Sequence, residues 1–530
     1  MITPKDLPLS YQPRVSQLIK ILLLGILLCC AVLLAVRAAM FMGWYISRDY
    51  PLEYREFAVI FSTDLLLQGY NPYSIALQPV AMNAYGIVYN LLVLPLAHVW
   101  GSTPYVHRVV SCFFIVMTCG CLLWGLRLSR VSWSMAVVAV ATLFAFLATG
   151  LSIVSRPDSL GQFLFLASIV VPFAYKYSVP ALAISIALCL LGLLTKPYFV
   201  LGAPFMAGYL FAFESKSKGL WYALGFGVAL TATLFATNAL CETWLTNTIF
   251  NHLNNDLSGQ YTSVTHLRVQ MWVHAESILG FIAAFIWAYG FSVGSGEIAF
   301  KRSLGSLFNF KNFDKPLIEA EGDLPFMMLL FGTIIMVWKL GLHTGNWQLY
   351  YHQFMTPFAL WFVVAFIDGL KINRHWEVLL PLIANLTVLN LFYVSGDLED
   401  HTEEWKALEQ VVASHQDMYH SAGLAYLMRK YGKPIYNTGH DEYYAASVPH
   451  NFTSTAEQFA WQSEMFWGQI EEKAQSKQLD LIIQDSGAGW PIDRNVLKKN
   501  YRLLGYMQMP LLFDGNWPLE LWIPKPDRKE

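Results

Sequence analysis

The sequence predicts a polytopic α-helical membrane protein that ends in a small α/β domain. Three observations carry this. Of 530 residues, 55% are hydrophobic and only 14% are charged, against about 25% charged in soluble domains. Mean hydropathy is +0.41. Apolar runs near or beyond the ~18 residues that a transmembrane helix needs recur up to about residue 394, and the composition then turns polar.

The expected spans are 18–43, 105–126, 132–150, 160–175, 179–195, 197–213, 219–240, 274–293, 323–340, 354–369 and 375–394. The first run is too long for a signal-peptide core and lacks a clean cleavage site, so it reads as an uncleaved anchor. The stretch 84–100 (AYGIVYNLLVLPLAHVW) is short and holds Asn90, Pro95 and His98. It reads as a re-entrant or interfacial segment.

Charge supports about eleven spans. Without a crossing at 84–100, eleven basic residues fall on the side of the N-terminus: Arg127, Arg130, Lys176, Lys216, Lys218, Lys301, Arg302, Lys311, Lys315, Lys371 and Arg374. Four face the other way: Arg156, Lys196, Arg268 and Lys339. The positive-inside rule then makes the N-terminus cytoplasmic and the C-terminus extracytoplasmic. The chain divides into a membrane module, 1–396, and a soluble extracytoplasmic segment, 397–530. In the latter, 479–486, 501–508 and 519–524 read as strands, and 402–415 and 455–476 as helices.

The net charge of −2 offers nothing to nucleic acid. The seven cysteines show no CxxC pair or disulfide framework and read as packing residues. No HExxH or HxxxH spacing is present, so no dedicated metal site is expected.

Chemistry concentrates in the loops of the outer face. Loop 46–83 carries Asp49, Glu53, Glu56 and Asp64 and ends in the turn GYNPY at 69–73. A carboxylate suits the removal of a proton from a hydroxyl. Glu56, Asp49 and Glu53 are the candidates, and the solvated face of an interfacial helix is the plainer reading. In SRPDS at 155–159, Asp158 or Ser155 suits a helix cap and Pro157 a first turn. Arg156 there is a cation placed to meet a phosphate. Lys196 either snorkels to the interface or joins Arg156 on that phosphate. Loop 241–273, with His252 and Arg268, and loop 341–353, with His343, Tyr351 and His352, supply amides, rings and hydroxyls of the kind a sugar site uses. An interfacial aromatic belt also explains the Trp and Tyr of the second loop.

The ordered set of an acidic residue before LLLQGYNPY, then YGIVYNLLVLPLAHVWG, HRVVSCFF, RPDSLGQFLFLAS, LLTKPYFVLGAP and YYHQFMTPFALW resembles the GT-C superfamily of integral-membrane glycosyltransferases. The likeness is strongest to members that use polyprenyl-phosphate sugars, similar to mannosyltransferases and aminoarabinose transferases. It covers most of residues 40–370. The resemblance implies an inverting, carboxylate-assisted transfer from a polyprenyl-phosphate-linked sugar to a glycan, lipid or protein acceptor in cell-envelope glycan biosynthesis. It implies a multi-pass protein of the plasma (inner) membrane, in contact with membrane lipids. It places the base at Glu56, with Asp49 and Glu53 as rivals, because the adjacent Asp-Glu pair of the family is missing. It assigns Arg156 and Lys196 to the donor phosphate, with Asp158, His252, Arg268, His343, Tyr351 and His352 nearby in the substrate site. No cofactor is required by the reading, and a divalent cation, Mg or Mn, is left open.

Three other readings compete. A transporter or a lipid or polysaccharide flippase would show charged or broken helices at mid-membrane and internal repeats, and no repeat is visible. A polysaccharide polymerase or ligase would show a large late loop with paired arginines. A noncatalytic scaffold would tolerate any change in the carboxylate loop.

Overall fold

The computed structural model describes residues 12–150, 152–250, 280–290, 313–318, 323–341, 347–369, 376–393, 400–438, 454–486, 492–511 and 515–526. The apolar runs form helices, because in a lipid setting a helix alone satisfies every backbone group within one segment. α1 (Gln12–Ile46), α4 (Pro104–Leu128) and α9 (Lys216–Leu240) are long and apolar enough to cross a membrane. Among the described residues, eight shorter apolar helices join them. These include α3 (Val88–Trp100), α5 (Trp133–Ala148), α6 (Asp158–Ala174), α7 (Val179–Leu193) and α10 (Gly280–Gly290). The run expected as one span at 197–213 is broken into a 3-10 turn, the short helix α8 (Gly202–Tyr209) and a π turn.

α2 (Glu56–Leu67) and α3 form a short pair. At ~1.5 Å per residue, neither reaches across a ~30 Å hydrocarbon core. α4 packs on α6, and α1 on α5. Thr103 caps α4 by accepting the Val106 N–H, and Pro104 sits at its first turn. α11 (Leu324–Gly341) pairs with α12 (Trp347–Gly369). α12 starts earlier than expected, so Tyr351 and His352 belong to a helix and not to the loop assigned to them. α13 (Leu379–Val388) packs along α1.

The later residues hold a four-stranded sheet in the order β1-β2-β4-β3. β1 (Met418–Tyr419) runs parallel to β2 (Leu481–Asp485), with Met418 opposite Leu481. β4 (Gly515–Pro524) is antiparallel to both β2 and β3 (Tyr501–Leu511). Helices α14 (Thr402–Ser414), α15 (Ala425–Lys430), α16 (Ser454–Gln475) and α17 (Arg494–Asn500) accompany the sheet. Apolar side chains of α14 and of β2 to β4 belong to the same contiguous buried cluster as those of the membrane helices.

One backbone contact fixes the site below. The Gly86 N–H donates to the Thr195 carbonyl at 2.9 Å, and the Val88 N–H to the Leu194 carbonyl at 3.2 Å. A β-carbon on Gly86 would lie 1.8 Å from the Leu194 oxygen. Gly86→Ala is therefore expected to lose about 1–3 kcal/mol of stability, read as a lower unfolding temperature in detergent. An unchanged temperature would show that the 86–88 and 194–195 segments part freely.

Candidate active site

The structure brings Glu53, Arg156, Asp158, Lys196 and Tyr85 together, all buried. An Arg156 guanidinium nitrogen lies 3.3 Å from Glu53 Oε1, and its Nε lies 3.1 Å from Asp158 Oδ2. Lys196 Nζ donates to Asp158 Oδ1 at 2.8 Å. Both cations also face the ring of Tyr85, at 5.4 Å for Arg156 and 4.9 Å for Lys196. Cation–π attraction of this kind strengthens when water is excluded. The ring is held from below: Asn83 Oδ1 accepts the Tyr85 N–H, and the buried Tyr73 hydroxyl donates to the Tyr85 carbonyl. GYNPY is thus a shaping turn, in which Asn71 Oδ1 accepts the Tyr73 N–H and Gly69 has φ +80°.

The capping role of SRPDS does not hold. α6 begins at Asp158 with no side-chain cap, and the Asp158 carboxylate turns to Lys196 and Arg156 instead. Two buried cations outbid a backbone N–H for a carboxylate.

Glu56 has a different set of partners. Arg108 reaches its carboxylate twice, Nε to Oε1 at 3.0 Å and a terminal nitrogen to Oε2 at 2.7 Å. The N–H groups of Ser155 and Leu52 donate to Oε1 and Oε2, each at 2.7 Å. Burial pushes this carboxyl up, but Arg108 and the two N–H donors outweigh it and hold it below the ordinary value. The two Glu56 oxygens thus accept four hydrogen bonds. Asp49 is exposed, and its Oδ1 accepts the Tyr426 hydroxyl at 3.1 Å.

Two residues absent from the sequence reading complete the picture. Arg108 was hidden inside the HRVVSCFF run. Arg55 follows Glu53 by two positions, and its N–H donates to Glu53 Oε2 at 2.9 Å. The Arg55 guanidinium lies over the Tyr54 ring at 4.6 Å and within electrostatic reach of Glu53, Tyr85 and Arg156. Among the described residues it makes no hydrogen bond or ion pair. Among the described residues, three cations (Arg55, Arg156, Lys196) and two carboxylates (Glu53, Asp158) gather here.

His252, Arg268 and His343 lie outside the described residues. Tyr351 and His352 are placed only by the backbone of α12. Among the described residues no group of three or more His, Cys, Asp or Glu side chains gathers. Among the described residues a divalent cation does not fit the cluster, because Glu53 and Asp158 already face Arg156 and Lys196. An apolar groove between α2 and α3, lined by Leu66, Leu67, Leu94, Pro95 and His98, includes no residue of the cluster.

The C-terminal segment rests on the same loop. Arg48 pairs with Asp400 at 2.9 Å, Tyr50 stacks on Trp405, and Tyr54 meets Trp517 edge-on. Arg429 donates to Asp64 Oδ1 at 2.6 Å and to the Ser102 carbonyl at 2.7 Å.

No protein-family model and no curated protein matches this chain. Similar solved structures include the Archaeoglobus fulgidus oligosaccharyltransferase in complex with Zn and sulfate, with 12% identity and TM-score 0.47 over 93% of this chain and 72% of that one. ArnT from Cupriavidus metallidurans in the apo state shows 10% identity and TM-score 0.42 over 93% of this chain and 97% of that one. The apo form of the Archaeoglobus fulgidus enzyme gives 11% and 0.41 over 96% and 75%.

Burial pushes the Asp64 carboxyl from 3.8 up to about 7, against the pull of Arg429. The folded chain therefore holds a proton that the unfolded chain has already released between those values. The associated stability is full below pH 3.8 and is lost as pH rises through about 7. Unfolding in detergent across this window should show wild type losing stability with rising pH relative to Asp64→Asn. Parallel curves for the two proteins would place the Asp64 carboxyl at its ordinary value.

Proposed function

We propose that this chain is a membrane glycosyltransferase of the GT-C type, moving a sugar from a polyprenyl-phosphate donor to an extracytoplasmic acceptor. The observation that supports the reading is the juxtaposition of Glu53 and Asp158 with Arg156 and Lys196, with the half-buried Arg55 guanidinium within electrostatic reach. A helical protein with about eleven spans, a cytoplasmic N-terminus and a small α/β domain at 397–530 outside would set this cluster at the outer surface of the plasma membrane.

In this reading the donor phosphate docks on Arg55, with Arg156 and Lys196 beside it. Arg55 has all its side-chain donors to give, and a guanidinium suits a phosphate better than a point charge does. When the phosphate takes up Arg156, the 3.3 Å contact to Glu53 weakens and the Glu53 carboxylate is released. Glu53 accepts the proton of the acceptor hydroxyl. The hydroxyl oxygen attacks the anomeric carbon from the face opposite the phosphate, inverting it. The bond to the phosphate oxygen breaks, and polyprenyl phosphate leaves with its charge held by the cations. A phosphate leaves without a general acid. Asp158 orients Arg156 and Lys196. Asp49, on the exposed side of the loop, is the alternative base. His252, Arg268, His343, Tyr351 and His352 are assigned to acceptor or sugar contacts. Glu56 is reassigned from proton acceptor to loop support, since its oxygens already accept four hydrogen bonds.

Transfer of radiolabelled sugar from a panel of polyprenyl-phosphate sugars into membranes tests this. Glu53→Gln is expected to lower transfer about 10²–10⁴-fold. Arg55→Gln is expected to raise the donor KM more than it lowers kcat. Loss in Asp49→Asn with Glu53→Gln intact would move the base to Asp49. Full transfer in both would sink the carboxylate mechanism.

A further inference from the structure

Arg108 is wholly buried in the first turn of α4. A guanidinium carries five N–H donors, and here all five are used. Nε and one terminal nitrogen reach the Glu56 carboxylate. The others reach the carbonyls of Tyr45 at 3.2 Å, Arg48 at 2.7 Å and Tyr50 at 2.8 Å. Glu56 in turn collects the N–H groups of Leu52 and Ser155. The pair therefore grips the backbone immediately beside each reactive candidate. Asp49 lies between two carbonyls that Arg108 holds. Glu53 follows Leu52, and Arg156 follows Ser155.

From this we infer that Arg108 and Glu56 are positioning residues, which set the spacing between Glu53 on one loop and Arg156 on the other through the backbone they hold. The inference rests on the transferase reading for its kinetic consequence, but its geometric content stands alone. An apolar pair of the same volume would fill the space, yet would take away a partner from five backbone groups, three carbonyls and two N–H groups, of which the Tyr45 carbonyl would still accept the Arg48 N–H. The carbonyls draw the end of α1 and the turn after it onto α4. The N–H groups bring loop 152–157 to the start of α2. Neither Arg108 nor Glu56 needs to touch substrate for this.

The test uses the full-length protein in detergent, comparing wild type with Glu56→Gln, Arg108→Gln and Arg108→Met. Hydrogen exchange is followed over 45–56 and 152–157, with strand 481–485 as the internal reference. In parallel, transfer is measured as a function of pH. Exchange is expected to rise in both loops and not in the reference strand. The kcat is expected to fall about 100-fold, the cost of an ångström-scale displacement of reacting groups, with the donor KM changed far less. The acid limb of the pH profile should stay where it is in wild type, because neither Glu56 nor Arg108 takes the proton in this reading.

Loop exchange equal to wild type in all three variants would overturn the inference, whatever the activity. An acid limb that vanishes in Glu56→Gln, with exchange unchanged, would return Glu56 to proton transfer and also overturn it. Wild-type wild-like kinetics in Arg108→Met would do the same, since shape without donors would then suffice. A wild type that transfers from no donor fails the transferase reading separately, and the exchange data still decide whether the pair holds the two loops.

Discussion

The organisation of the candidate site depends on one buried ion pair, Arg108 with Glu56. Its partners are 52 residues apart in sequence and come from α4 and α2. Removing two charges from water is costly, and a buried pair holds only if the remaining donors and acceptors are also met. Here they are met by main-chain groups of α1, the loop after it and the segment before α6. The polar network is fully connected, the condition under which such a network rigidifies a structure rather than weakening it. Breaking it by removing one partner would leave an uncompensated buried charge, a loss of about 3–5 kcal/mol.

A second network adjoins this first one. The bonds around Glu56 are short. Those around Glu53 include Arg156 at 3.3 Å and the Arg55 N–H at 2.9 Å. Two acids only three residues apart thus face different partners, Arg108 for Glu56 and Arg156 for Glu53. The C-terminal segment closes over the same stretch, touching Arg48, Asp49, Tyr50, Tyr54 and Asp64. The loop is consequently shared between the membrane helices and the sheet, and neither part defines its shape alone.

Much of the fold was legible in the chain. Long apolar runs dictate helices, and the alternating, turn-bounded pattern after residue 479 dictated strands close to those found. The short β1 was not legible, because two residues carry no periodicity. At the site, SRPDS and LLTKP were recognisable as places where charge interrupts apolar sequence, and they do meet. Which of Glu53, Glu56 and Asp49 faces Arg108 was not legible, since the turns before α2 and its packing against α4 decide it. Arg108 looked like one cation at the head of an apolar helix. Asp158 looked like a cap because local sequence shows the nearby N–H groups but not the two distant cations. Tyr85 gave no signal at all, since an aromatic beside a glycine in an apolar stretch usually only packs.

The Tyr85 ring has a further meaning for an enzyme that would work outside the cytoplasm. Arg156 and Lys196 are each held by a carboxylate on one side and by this ring on the other. A carboxylate gives up its charge when the surroundings turn acidic, and its grip on a cation goes with it. The face of a phenol ring has no proton to gain over that range. The two cations thus keep one anchor that ignores acidity, so in the proposed enzyme the side assigned to the donor phosphate would hold its form where the cell does not control pH.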